Sequence, residues 1–316
     1  MKKQTAGIHH ITAIVGHPQE NVDFYAGVLG LRLVKKTVNF DDPGTYHLYF
    51  GDDGGKPGTI ITFFPWANAQ QGAIGDGQVG VTSYVIPEGT MDFWEKRLAR
   101  YHIQYTKSER FNEVYLTFDD PHGLHIEMVE RGEGEKNNWT SGDITSDVEI
   151  KGFGGATLFS AQPEATAELL ENVLGLEPVG KEGDFQRFRA PAEIGNIIDL
   201  KVEATDRGSM GVGTVHHIAW RAKDDHEQLE WQQLVTDNGY RVTPVQDRNY
   251  FNSIYFREHG KILFEIATDL PGFAHDESYE MMGEKLMLPA QYESLRDKLE
   301  QHLIPLTIKS LDGKDE

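Results

Sequence analysis

Two short apolar runs each carry a pair of adjacent histidines, IHHITAIV at residues 8–15 and VHHIAWRA at residues 215–222. Imidazole ligates divalent metals and also titrates near neutral pH, so paired histidines at two similar places suggest a metal centre with proton-handling groups beside it. Neighbouring residues of a strand point to opposite faces. In the first run His9, Ile11, Ala13 and Val15 share one face, and Ile8, His10, Thr12 and Ile14 the other. In the second, His216, Ile218, Trp220 and Ala222 lie opposite His217, Ala219 and Arg221. The more apolar face is expected to pack on helices, and the face with Thr12 and Arg221 to look into a polar cavity. That places His10 and His217 in the cavity by the same logic. A carboxylate must complete the set, because the chain has no cysteine and so no thiolate ligand or disulfide. Glu265, in ILFEIA, is flanked by apolar residues and needs a partner if buried. Glu127, in LHIEMV, is its rival.

The elements that must position these residues recur four times. Strand-like runs open at residues 7–15, 80–86, 154–160 and 214–222, each followed by a helix-like stretch and further alternating runs. Units two and four close alike, in YLTFDDPHGLHIEMVE and YFREHGKILFEIATD, which read as strand, tight turn, strand. Units one and three share a helix ending in Val-Leu-Gly-Leu, with Gly30 and Gly175 suited to the left-handed position past a helix end. Val22, Tyr25, Val28 and Leu29 make one apolar helix face.

The fold class expected is therefore α+β, four βαβββ modules paired into two barrel-like sheets, since one module cannot bury its sheet face alone. The N-terminal half, 1–135, and the C-terminal half, 150–270, hold two modules each. Residues 131–150 read as a polar linker and 207–213 as a shorter Gly-rich one. A tail, 271–316, carries a helix at about 291–303, and its last residues, GKDE, look frayed.

The pairing of units selects the carboxylate. Units two and three open without histidine, so only the pairing of one with four gathers His10, His217 and Glu265. Glu127 is then a relic of duplication, paired with His125 or His122. Two histidines and one carboxylate leave open positions for O2 and a substrate oxygen, as in non-haem Fe(II) oxygenases, with Mn, Zn or Ni as alternatives.

Composition narrows the class further. The chain has 316 residues, 39% hydrophobic and 25% charged, as a folded globular protein should. A net charge of -20 repels phosphates and argues against nucleic acid as a partner. No apolar run approaches the roughly 18–20 residues of a membrane span, and the first residues do not read as a signal peptide, so a cytoplasmic place is expected. A homo-oligomer is left open.

The HHI openings, the repeated modules and the YFREHGKILFEIATD closing resemble the vicinal-oxygen-chelate (glyoxalase/bleomycin resistance/extradiol dioxygenase) superfamily over essentially the full length. The tail, FAHDE to EKLMLP, is similar to that of the methylhydroquinone-resistance group of ring-cleaving dioxygenases, and the chain also resembles Fe(II) hydroquinone dioxygenases. His259 stands where that closing signature usually has proline. The resemblance implies Fe(II) on His10, His217 and Glu265, with His9, Thr12, His216, Arg248 and Tyr255 around it. It implies a small aromatic diol and O2 as substrates. Catechol-type ring-cleavers take a histidine from the third unit, and this chain does not, which favours a hydroquinone. Two other readings stand beside it: a glyoxalase-like Zn or Ni isomerase or lyase, and a metal-free module that binds an aromatic or an antibiotic.

Overall fold

The computed structural model describes residues 3–308, so the frayed end expected at GKDE lies outside the described residues. The four modules form as the repeats predict. The first runs β1 (Ile8–Val15), α1 (Pro18–Val22), β2 (Arg32–Val38), β3 (Tyr46–Gly51) and β4 (Ile60–Pro65). The second runs β5 (Gln78–Ile86), α2 (Met91–Arg100), β6 (Tyr105–Arg110), β7 (Glu113–Asp119) and β8 (His125–Glu130). The third is β9 (Gly152–Phe159), α3 (Pro163–Glu168), β10 (Glu177–Glu182), β11 (Phe185–Arg189) and β12 (Ile197–Lys201). The fourth is β13 (Thr214–Ala222), α4 (Asp225–Asp237), β14 (Gln246–Asp247), β15 (Phe251–Arg257) and β16 (Leu263–Pro271).

Helices α1 and α3 each start with a proline in the first turn, where its missing N–H costs nothing. Both widen into a π-helical turn, Asp23–Val28 and Leu169–Val173, which periodicity alone does not reveal. The face of Val22, Tyr25, Val28 and Leu29 is buried, as expected. Gly30 and Gly175 then reverse the chain with φ of +71° and +76°. A Cβ on Gly175 would lie 2.2 Å from the carbonyl oxygen of Lys3, so both conformation and space require glycine there.

The sixteen strands of the described residues make two eight-stranded sheets. One has the order β14-β15-β16-β13-β1-β4-β3-β2 and joins modules four and one. The other, β10-β11-β12-β9-β5-β8-β7-β6, joins modules three and two. Each sheet is sewn together by its opening strands, β1 antiparallel to β13 and β5 antiparallel to β9. Every sheet thus takes one module from each half of the sequence, the pairing that the histidine count demands.

Two connecting segments differ from their reading as plain linkers. Residues 131–150 bury Ile144, Ile150 and the guanidinium of Arg131, which donates to the Gly154 carbonyl at 2.6 Å. Residues 71–76 bridge to 207–212, tying the two inter-module connectors to each other. The tail lies along β2, with a bridge between Lys36 and Leu286, and covers an edge strand whose free N–H and C=O groups would otherwise face solvent. The helix expected at 291–303 is split into a 3-10 segment (Ala290–Leu295) and α5 (Arg296–His302).

Candidate metal centre

Strand register brings the candidate ligands to one face. His10 of β1 faces Ala219 of β13, Ala219 faces Glu265 of β16, and Glu265 faces Tyr255 of β15. Directly paired residues share a face, and His217 lies two residues before Ala219 on β13. His10, His217 and Glu265 therefore converge, and their ligand atoms all lie within 4.8 Å of one another. Nε2 of His10 is 3.2 Å from Nε2 of His217, and Glu265 Oε2 is 3.3 and 2.8 Å from those two nitrogens.

The trio is deeply buried, Glu265 wholly so. Its Oε1 accepts from the Ser253 hydroxyl, but Oε2 has no donor of suitable hydrogen-bond geometry despite the two close imidazoles. The two imidazole nitrogens are within hydrogen-bond distance of each other, and the carboxylate oxygen beside them is left without a well-aimed proton. A divalent cation fits such a donor set, because it satisfies nitrogen and carboxylate lone pairs together. Burial alone would raise the Glu265 carboxyl, yet His10 and His217 outweigh it and hold the group well below the usual carboxylate range. Burial lowers His217, an effect that Glu265 partly opposes.

The outer nitrogens of both candidate ligand histidines are also engaged. His10 Nδ1 is 2.9 Å from His9 Nδ1, whose Nε2 is 3.1 Å from the Thr268 carbonyl oxygen. A carbonyl can only accept, so His9 carries its proton on Nε2 and accepts at Nδ1. His10 then donates from Nδ1 and keeps the Nε2 lone pair for a cation. His217 Nδ1 is held likewise, 2.8 Å from His216 Nδ1. Alternation puts His9 on the helix-facing side, but a register shift between Ile8 and His10 lets its ring lie against His10.

A cavity of about 600 Å³ opens onto His10 and His217 of the trio. His216, Arg248 and Tyr255 line it, as the resemblance implies. Arg248 Nε lies 3.3 Å from the Tyr255 hydroxyl, and Arg248 Nη2 is 3.3 Å from Asp41. Burial and the nearby Glu265 raise Tyr255, so it stays a proton donor. Burial and the neighbouring His217 push His216 down to about 3. Thr12 does not reach the cavity itself; its hydroxyl is 2.8 Å from that of Thr62. Arg221, expected beside His217, lies too far along β13 and pairs instead with Asp269 at 2.7 Å.

One wall of the cavity was not foreseen from the sequence. His47 and Tyr49 of β3 line the cavity with Phe64 and Trp66. His47 Nε2 is 2.8 Å from the Thr62 hydroxyl, and its Nδ1 2.8 Å from the Tyr49 hydroxyl, which extends the Thr12–Thr62 contact into a chain of four side chains. Burial, with His10 adding to it, lowers His47 well below its ordinary value. The available signal was the alternation of His47 with Tyr49 and of Thr62 with Phe64, which acquires meaning only once β4 is known to pair with β1.

The second sheet shows what became of the rival. Glu127 faces Ser83 of β5 and accepts from its hydroxyl at 2.9 Å. Its main partner is neither His125 nor His122 but Arg110, which donates to both carboxylate oxygens at 2.9 and 2.6 Å. Arg110 also donates to Asp199 at 2.7 Å. A guanidinium supplies the positive charge there. His125 pairs with Asp119 instead, and His122 accepts weakly from the Gly16 amide.

The family model for the Glyoxalase/Bleomycin resistance protein/Dioxygenase superfamily matches residues 7–128 and 152–266. The chain is 72% identical to MhqO of Bacillus subtilis (strain 168), a candidate ring-cleaving dioxygenase, over 99% of this chain and 100% of that one. It is 34% identical to a chlorohydroquinone/hydroquinone 1,2-dioxygenase of Sphingobium indicum, over 95% and 96% of the two chains. A crystal structure from Bacillus subtilis, of a candidate dioxygenase, superposes with a TM-score of 0.97 at 72% identity, covering 98% of this chain and 100% of that one.

Proposed function

Because this chain belongs to the Glyoxalase/Bleomycin resistance protein/Dioxygenase superfamily, we propose that it is a ring-cleaving dioxygenase acting on a hydroquinone with O2. The metal is Fe(II), held by His10, His217 and Glu265. The observation that carries the reading is the buried Glu265 oxygen, left without a proper donor where two imidazole Nε2 atoms converge on an open cavity. When bound, the iron supplies the centre at which O2 and a phenolic oxygen meet and are activated.

The chain's own residues account for the rest. A para-diol offers the metal one oxygen rather than two, so protein groups must orient the ring. Phe64, Trp66, Phe251 and His47 give it aromatic walls. Arg248 is placed to stabilise negative charge developing on the substrate, and Tyr255, kept protonated, donates a hydrogen bond beside it. With His217 ligating through Nε2, its Nδ1–H donates to His216, which then carries a proton on Nε2 at the cavity wall. His9 does the same service for His10 without reaching the cavity. Thr12 acts from behind, through Thr62 and His47.

The test is anaerobic loading with Fe(II), followed by O2 uptake with hydroquinones and catechols in parallel. A higher kcat/KM on a hydroquinone is the expected result. Catechol preferred over every hydroquinone would overturn the substrate assignment, and full turnover with Zn(II) or Ni(II) in the absence of O2 would favour an isomerase or lyase.

A further inference from the structure

The tail lies outside the repeat, yet one of its carboxylates reaches toward the cavity wall. Phe273, 3% exposed, seats the segment by packing on Tyr49 and stacking on Tyr250, with ring centroids 5.0 and 5.2 Å away. Three residues later, Asp276 Oδ1 lies 2.7 Å from Nζ of Lys35, a lysine of β2 that is wholly buried. Asp276 Oδ2 accepts from the Tyr250 hydroxyl at 2.9 Å and from the Asn249 side-chain amide at 3.3 Å. One carboxylate therefore ties module one to module four.

The two residues it grips belong to the turn that carries Arg248. Asn249 is held at φ +65°, a conformation that costs a non-glycine residue energy and persists where neighbours impose it. The Tyr250 amide donates back to the Arg248 carbonyl at 2.7 Å, and the Arg248 amide donates to the Phe251 carbonyl at 3.0 Å. From this turn Arg248 reaches Tyr255, while the Phe251 ring lies 4.9 Å from that of His10.

We infer that Asp276 is a positioning residue: by gripping Asn249 and Tyr250 it fixes the turn from which Arg248 reaches into the cavity. The inference rests on the proposed role of Arg248 in turnover. Asn at 276 keeps the shape and one acceptor oxygen, and Lys35 retains Glu277 at 2.5 Å, so the variant should fold.

The experiment has two arms. In the first, hydrogen exchange is followed in full-length D276N and wild type. The peptide covering 247–251 should exchange about tenfold faster in D276N while β1 and β13 are unchanged. In the second, Fe(II)-loaded wild type, D276N, R248A and the double variant are assayed by O2 uptake with hydroquinone. D276N should lower kcat about tenfold with metal content unchanged, and should cost nothing further in the R248A background, because a residue acting through another is non-additive with it. Y250F, which removes one donor to Asp276, should move both readouts the same way by less, and it stands in if D276N does not fold. Unaltered exchange at 247–251, or losses that simply add, would overturn the inference. If R248A turns over hydroquinone like wild type, both the role of Arg248 and the action of Asp276 through it fall. If wild type consumes no O2 with hydroquinone, the proposed activity falls, and the exchange arm alone decides whether Asp276 holds the turn.

Discussion

Replacing Glu265 with glutamine tests the centre most directly. The amide keeps the shape and can still accept from Ser253, so the change is the loss of one buried charge. At an effective dielectric of about 20, a unit charge and a divalent ion roughly 4 Å apart attract by about 8 kcal/mol, most of which is offset by the cost of keeping the carboxylate dry without metal. A floor comes from residues that only support a ligand, whose loss costs up to about 100-fold in metal affinity, so neutralising a ligand should cost at least that, or about 2.7 kcal/mol. At a metal concentration near 100 times the wild-type Kd, wild type gains about 2.7 kcal/mol of stability and the variant only about 0.4. At roughly 2 °C per kcal/mol for a chain of this size, the metal-induced rise in Tm should shrink by about 5 °C. The assay is Mn(II) titration of chelator-stripped protein by calorimetry, with thermal unfolding in the presence and absence of metal. Comparing each protein with its own metal-free form cancels any change in the apo state. Glu127→Gln is the control: it weakens the grip on Arg110 and should lower stability by about 1–3 kcal/mol, with metal affinity untouched. An unchanged Kd in E265Q, or lost metal binding in E127Q, would refute the reasoning.

Three further outcomes are expected. Arg248→Ala should cut turnover about 100-fold while leaving metal content at the wild-type level, because the role proposed for Arg248 is to stabilise charge and it lies outside the His10–His217–Glu265 trio; metal analysis beside O2 uptake checks this. Metal-free protein should lose stability in acid. His9, His47, His216 and His217 are held below their ordinary values, chiefly by burial, so the unfolded chain takes up protons that the folded one refuses. Their contribution is complete above the unfolded pKa of about 6.5 and is lost as pH falls toward the folded values, by up to about 1.4 kcal/mol per pH unit for each group; a Tm that stays level from pH 7 to 5 would contradict this. Gly175→Ala should destabilise the fold by about 1–3 kcal/mol, since a methyl group at φ +76° meets the Lys3 carbonyl, with metal affinity unchanged by calorimetry.

Much of this is legible in the amino-acid sequence. The histidine pairs sit on strands whose alternation separates His10 and His217 from their neighbours, and the absence of histidine from the openings of modules two and three selects the partner modules. Alternation failed where a bulge intervened: His9 lies beside His10 because the register slips there. It also carried Arg221 into the cavity, although a strand residue four positions from His217 lies some 13 Å farther along. His47 and Tyr49 were hidden because β3 joins the site only through β4, two pairings removed from the motif. The guanidinium of Arg110 beside Glu127 was hidden for a similar reason: it arrives from the far edge of the sheet on a long side chain that no local pattern announces.

The sewing of module one to module four also sets an order of birth. As the polypeptide leaves the ribosome, β1 emerges first and pairs with β4 of its own module, but its other edge waits for β13. Ile11 meets Ile218 only after roughly 200 more residues, about 10 to 40 s at ordinary synthesis rates of about 5–20 residues per second. The sheet of modules two and three has all its strands before the sheet of modules one and four does. Until then an apolar strand lies with its hydrogen-bonding edge open, a template for pairing with another nascent copy. A chain that stops before module four would keep that edge for good, and would carry His10 without His217 or Glu265 to meet it.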